Sequence, residues 1–453
     1  MSAHKPRHLW EKPNAENLCI RLRRQHLPRS ANVVAKIVSR TETGKDEIKL
    51  TMRLGELCQF IIDCEHKTAP TQEAGHPSIR TPNIGRGHFI LDNVNRVSEE
   101  TYRLWTKRAV PQPGDLIMAR EAPVGNVARI PEGLQPCLGQ RTLLIRPDKS
   151  KVDSCYLTYL LIDEEVQGII HAMTNGATVA HLNMKDVRAL ELPEIPPLHV
   201  QRRIAGILSA YDDLTENNRR RIRILEETAC ALYREWFVHY RFPGHENIRR
   251  VNSHLGSIPQ GWEVKKLSEF ADVNRTQINT RNAPDELHYI DISSVSPGRI
   301  DSITTYSFAD APGRARRVVQ HGDLLWSCVR PNRRSYSLVM GPEPNTIAST
   351  GFAVLTATKV PFTFLYFATT TDDFVAYLTN NASGAAYPAV TTETFEKADL
   401  VIPPARLLSH FGEATIPMME QIHVLQRQTS NLRQTRDMLL PRLLSGQINL
   451  STT

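Results

Sequence analysis

The chain has 453 residues, 41% hydrophobic and 23% charged, with a formal net charge of +7. That length suits about three domains of ~150 residues or two larger ones, and the composition excludes a mostly disordered chain. No run of ~18 apolar residues and no apolar stretch behind the first charges occurs, so neither a membrane-spanning helix nor a signal peptide is expected.

Seven cysteines (Cys19, Cys58, Cys64, Cys137, Cys155, Cys230 and Cys328) are scattered without a CxxC pair. They exclude a zinc knuckle and a disulfide framework and fit a reducing, cytoplasmic setting. The charge is uneven along the chain. Residues 1–50 hold 11 basic and 5 acidic side chains, 51–196 hold 16 and 18, and 257–403 hold 13 and 15. Bulk basicity therefore lies mainly in an N-terminal extension, read as either disordered or a misplaced start, and does not by itself establish a nucleic-acid partner.

In chain order, residues 51–196 read as a mixed α/β segment. Short apolar runs bounded by Gly, Pro and Asn, such as Asp115–Met118 and Arg141–Ile145, have the pattern of strands, and a helix is expected over Ser154–Met173. A spacer follows at 197–240. Its apolar steps at 211, 218, 225 and 232 and at 222, 229 and 236 form a heptad seam interrupted by Asn218, with Leu214 among the apolar positions. From Gln201 to Phe237 such a helix is about 55 Å long at ~1.5 Å per residue. The run Arg219-Arg220-Arg221-Ile222-Arg223 is either a solvated face or a phosphate or partner contact. A linker at 241–256 leads to a second α/β segment at 257–403, with strands at Asp323–Trp326 and Phe352–Leu355 and a helix over Phe362–Leu378. A second spacer occupies 404–450.

The segments echo one another. Gly114-Asp115-Leu116-Ile117 returns as Gly322-Asp323-Leu324-Leu325, and Asn175-Gly176-Ala177 as Ser383-Gly384-Ala385, both 208 residues on. Ile195-Pro196-Pro197 returns as Ile402-Pro403-Pro404 after 207, the spacing that also relates Leu225 and Leu232 to Leu432 and Leu439. Ordered matches at one spacing imply a two-fold internal repeat, too long for a solenoid unit. Two helices sharing a heptad register in such a pseudo-dimer are expected to pair antiparallel.

Reaction chemistry is missing. No Walker A loop, HExxH, GxSxG, Asn-Pro-Pro-aromatic sequence or Gly-rich S-adenosylmethionine loop occurs. Pro284-Asp285-Glu286 has no downstream acid-x-Lys, and His181, His288 and His321 stand alone.

Two α/β segments, each closed by Ile-Pro-Pro and a long helix, resemble the specificity subunit of type I restriction–modification systems. The most specific stretch is Pro196-Pro197-Leu198-His199-Val200-Gln201-Arg202-Arg203-Ile204-Ala205-Gly206-Ile207-Leu208, followed by Leu232-Tyr233-Arg234-Glu235-Trp236-Phe237. Arg120-Glu121-Ala122-Pro123-Val124-Gly125 and Gly139-Gln140-Arg141 are similar to sequences of its target recognition domains. One departure is Val200-Gln201 where the family usually has Glu-Gln.

The resemblance implies a non-catalytic chain with two target recognition domains, 51–196 and 257–403, each reading half of a bipartite duplex DNA site. Helical spacers would form an antiparallel coiled coil that sets the half-site separation and docks two methyltransferase subunits. S-adenosylmethionine, ATP and magnesium would belong to those subunits and to the restriction–translocation subunits, with no cofactor or metal bound by this chain. A helical scaffold without DNA readout and a stand-alone DNA-modifying enzyme are the alternatives.

Base readout needs Arg, Asn, Thr or similar groups at base edges, with cations on phosphates. The candidates are Thr81, Asn83, Arg86, His88, Arg120, Asn126 and Arg141 in the first segment. In the second they are Arg314, Arg316, Arg317, Arg330, Asn332, Arg333, Arg334 and Tyr336.

Overall fold

The computed structural model describes residues 52–174 and 180–450. The basic extension at 1–50 and the Asn175-Gly176-Ala177 part of the repeat lie outside the described residues.

The first segment is built on a four-stranded antiparallel sheet in the order Cys58–Asp63, Thr142–Pro147, Leu116–Ala119, Val127–Arg129. The strand Leu116–Ala119 is buried throughout. Its entry turn needs Gly114, whose φ of +90° suits a residue without Cβ. A smaller sheet sets His76–Ile79 between Arg96–Val97, antiparallel, and Cys137–Leu138, parallel. Helix α1 (Glu99–Trp105) is capped by Ser98, whose Oγ accepts from the Thr101 amide at 3.1 Å.

The single helix expected over Ser154–Met173 is two, α2 (Ser154–Ile162) and α3 (Glu164–Ala172). Asp163 has extended φ and ψ, ends the first and caps the second by accepting from the Glu165 amide at 3.1 Å. This is the competition between a short acidic side chain and the helix backbone that favours caps. Helix α4 (Met184–Arg188) follows, and Met52–Arg53 pairs antiparallel with Glu191–Leu192 to close the segment.

Helix α5 (Leu198–Tyr233) continues into a π-helical turn, Arg234–Val238. Its 36 residues span about 54 Å at ~1.5 Å per residue. Ile204, Leu208, Thr215, Asn218 and Ala229 are buried, and Ile222, Leu225 and Leu232 are half-buried, so the seam keeps alternating steps of three and four. Asn218 therefore sits inside the seam rather than breaking it, while Leu214 faces outward at 52% exposure. A period of 3.5 leaves position 214 off the stripe whatever its hydrophobicity.

The linker folds back as a hairpin, Arg250–Ser253 with Gly256–Pro259. The second segment then lays out four antiparallel strands in the order Ala271–Val273, Phe352–Ala357, Leu324–Ser327, Tyr336–Leu338. Beside it runs a sheet in the order Thr304–Ser307, Glu286–Ile290, Thr346–Ser349, Ala315–Val318, with its central pair parallel. Helices α6 (Phe362–Thr369), α7 (Asp372–Asn380) and α8 (Thr392–Glu396) follow, and Glu263–Lys266 pairs antiparallel with Asp399–Ile402. Here too the helix expected over Phe362–Leu378 is divided, by the cap Thr371, which accepts from the Phe374 amide at 3.2 Å.

Helix α9 (Ala405–Leu444) packs along α5. At one end Ile204, Ala205 and Leu208 share a buried cluster with Leu440 and Leu443. About one turn further in, Arg436 Nη1 meets Asp212 Oδ1 at 2.6 Å. At the other end the Phe411 ring lies 4.9 Å from Phe237 and 6.1 Å from both Tyr233 and Trp236. The start of each helix thus lies beside the end of the other. Among the described residues, no helix is long and apolar enough to cross a membrane.

Candidate nucleic-acid interface

The first-segment candidates divide into two groups. Around residues 81–90, Thr81 is buried in a 3-10 turn, and Asn83 bridges the Arg80 amide and the Ile90 carbonyl, both at 3.2 Å. Asn126 donates to the Ile84 carbonyl at 2.9 Å, and Arg86 donates to the Ile162 carbonyl at the end of α2 at 2.6 Å. His88 Nδ1 lies 3.2 Å from the Arg86 carbonyl, to which it donates when that nitrogen carries the proton. Burial pushes its pKa down, against the raising effect of the Arg86 carbonyl, and Arg219, Asp212 and Arg436 all act on it from the long helices. This corner is brought together by the fold, with Arg86 and Asn126 lining one shallow pocket beside Gln167 and His171.

The second group centres on Arg120. Its Nε donates to the Leu182 carbonyl at 2.9 Å, and its Nη1 binds the Asp63 carboxylate, with the side chain 15% exposed. The guanidinium ties two loops to the sheet. Arg141 is 61% exposed, takes φ +64° and pairs with Glu121 at 2.9 Å. Asp63, Cys64 and His66 place potential metal ligands within 4.8 Å of one another, yet Arg120 and His66 already hold the Asp63 carboxylate. A guanidinium there opposes a cation.

In the second segment, Arg316 stacks over Phe308 at 5.3 Å and bonds the Ala315 carbonyl. Arg317 is half-buried, and burial pulls its pKa down; its Nε has no hydrogen-bond partner among the described residues. Tyr336 packs 4.9 Å from the buried Trp326, and Arg334 pairs with Asp372 at the start of α7. Arg330 donates to the Ala386 carbonyl at 3.1 Å. Arg314, Asn332 and Arg333 are exposed and make no side-chain hydrogen bond or ion pair among the described residues.

Most candidates chosen for their residue type are thus engaged by the fold. Sequence reasoning could not foresee this, because an Arg that ties two loops together and one that faces solvent read alike. It also missed Gln201, 1% exposed, which accepts from the Asp153 amide at 2.8 Å and donates to the Pro196 carbonyl at 2.8 Å. The available signal was its place in the double-proline motif.

Residues 46–227 match the family described as the type I restriction modification DNA specificity domain. The chain is 24% identical to the type I restriction enzyme MjaIX specificity subunit of Methanocaldococcus jannaschii over 80% of its own length and 84% of that protein. It is 22% identical to the HindI specificity subunit of Haemophilus influenzae, over 68% and 80% of the two chains. Its fold is similar to the crystal structure of a type I restriction–modification S subunit from M. genitalium, with a TM-score of 0.58 and 16% identity over 87% of this chain and 95% of that one. Two closed α/β segments joined to long packed helices thus accompany a match to the type I restriction modification DNA specificity domain over residues 46–227 and similarity to type I restriction enzyme specificity subunits over most of the chain.

Proposed function

We propose that residues 51–196 and 257–403 are two target recognition domains, each reading one half of a bipartite duplex DNA site. In this reading α5 and α9 form an antiparallel coiled coil about a pseudo-two-fold axis and hold the two readers apart. The helices dock two methyltransferase subunits, which bring S-adenosylmethionine, and restriction–translocation subunits bring ATP and magnesium. Arg314, Asn332, Arg333 and Arg141 are the base- and phosphate-facing members of the candidate set, and the others position them.

The observation that carries this reading is the recurrence of one strand order. The four strands of the main sheet, the parallel pair beside it and the closing antiparallel pair follow the same sequence of connections in both segments. Two copies of one scaffold in one chain suit two halves of one split site. B-DNA half-sites read from one face lie about 34–36 Å apart, within reach of helices of about 54–60 Å at ~1.5 Å per residue.

Methylome sequencing of a host carrying the system tests it. The expected motif has two fixed sequences flanking a fixed unread gap. Inserting one heptad into α5 beside Leu225 and one into α9 beside Ile422 adds about 10 Å. The gap should then widen by about three base pairs at ~3.4 Å each, with both half-sequences unchanged. An unchanged gap in an active complex would rule out the ruler.

A further inference from the structure

Tyr387 is 69% exposed, more than any other large apolar side chain among the described residues. Tyrosine usually covers most of its ring, and here the surroundings fix the ring without burying it. The Arg330 guanidinium lies 4.6 Å from the ring centroid. Beneath it, the Arg330 amide donates to the Pro388 carbonyl at 2.7 Å, and Ser383 and Ala389 exchange two backbone hydrogen bonds at 2.9 and 2.8 Å. The Val390 amide donates to the Cys328 carbonyl at 2.9 Å, so the 383–389 loop is laced to the end of the central strand.

The turn that supplies Arg330 is equally fixed. Arg330 and Arg334 both take left-handed backbone conformations, φ +50° and +57°, which glycine or asparagine ordinarily supplies. Pro331 is buried between them and Arg334 is tied to Asp372. The turn therefore presents Asn332 and Arg333 outward from anchored ends. One rigid tip carries an amide, a guanidinium and an aromatic ring whose inner face is occupied by a cation. Such a set matches base edges in a groove: amide and guanidinium for purine edges, ring edge for a thymine methyl, hydroxyl for a phosphate or base acceptor.

We propose that Tyr387 is a sequence-reading residue for duplex DNA, held by Arg330 so that its ring edge and hydroxyl meet base pairs alongside Asn332 and Arg333. This rests on the reading of the chain as a DNA-specificity subunit. It also makes the two readers unlike: 208 residues earlier the sequence has Val179 for Tyr387 and Ala122 for Arg330.

The test uses the complex assembled with its methyltransferase subunits, comparing wild type with Tyr387→Ala and Tyr387→Phe. The measurements are methylome sequencing and binding to duplexes substituted singly in either half-site. Tyr387→Ala should relax selectivity at one or two adjacent positions of one half-site by about tenfold, the size of one lost base contact. Tyr387→Phe should lose about threefold, and the other half-site should be unchanged. Should the alanine variant melt below wild type, Tyr387→Leu, which still covers Arg330, gives the same comparison. Unaltered selectivity at every position overturns the proposal. So does loss of methyltransferase co-purification with selectivity intact, which would make Tyr387 a protein contact. A wild-type complex with no bipartite methylated motif would instead overturn the broader reading.

Discussion

The two places where a globular segment meets the helix pair occupy equivalent sequence positions and are built from opposite materials. In the first, Tyr159 of α2 donates to Asp212 of α5 at 2.5 Å, and Arg436 of α9 binds the other oxygen of the same carboxylate at 2.6 Å. The residues 207 or 208 positions away are Phe367, Met419 and Ala229, all members of the aromatic-rich cluster at the far end of the helices. Gln201, which bonds the Asp153 amide, stands 207 residues before the buried Leu408. The contrast extends into the sheets: Asp115 is bound by Arg146 through two bonds of 2.9 and 2.7 Å, whereas among the described residues Asp323 receives the Thr356 hydroxyl at 2.7 Å and its turn amide. One backbone layout accepts a directional polar joint or a non-directional apolar one. The polar joint fixes an angle through its hydrogen bonds, and the apolar joint holds by area and shape.

Breaking the apolar joint should have the largest effect. Phe411 is fully buried against Phe237, Trp236, Tyr233 and Phe367. Phe411→Ala is expected to cost about 3–5 kcal/mol, measured by urea unfolding, with little dependence on salt. A cost below about 1 kcal/mol would mean that the aromatic cluster is not what holds this joint.

Next comes Arg146→Ala. It leaves Asp115, whose side chain is 4% exposed, without its cation. The expected loss is about 3 kcal/mol, near the lower end for removing one partner of a buried pair. Thr356→Ala at the corresponding place should cost about 1 kcal/mol, so the ratio of the two sharpens the contrast.

The triad gives a smaller and more diagnostic effect. Arg436→Ala or Tyr159→Phe alone should cost about 1–2 kcal/mol. The triple change Tyr159→Phe, Asp212→Met, Arg436→Ala, which copies the other joint, should cost less than the sum of the single changes. Strict additivity in that cycle would show that the three side chains do not act together.

The smallest effect is one of pH. Burial raises the Asp323 pKa above its ordinary 3.8, outweighing the opposing Thr356 and Gln320 hydrogen bonds. A carboxyl raised on folding contributes stability that is fully present below its unfolded pKa and is lost as pH rises through the folded value. Stability should therefore decline from about pH 4 upward through this group, and Asp323→Asn should flatten that part of the profile. An identical profile in the variant would show that Asp323 is not its source.

The sequence by itself determined the spacing and period of this protein. Gly114 and Gly322 stand where a positive φ is required, the double prolines mark the exits of both segments, and a 3.5-residue period specifies the stripe each long helix buries. These are local or repeating constraints, and a linear reading carries them. Tertiary structure decided what each polar residue does. Asn218 became a buried seam residue because a helix packs against it, and Asp163 and Thr371 divided the expected helices because their side chains found backbone amides to cap. Arg120, Arg317 and Arg334 were drawn into the scaffold, while Arg333, one position before Arg334, was left facing out. Whether an arginine meets a carboxylate, a carbonyl or solvent depends on groups tens to hundreds of residues away, and no local pattern encodes that distance.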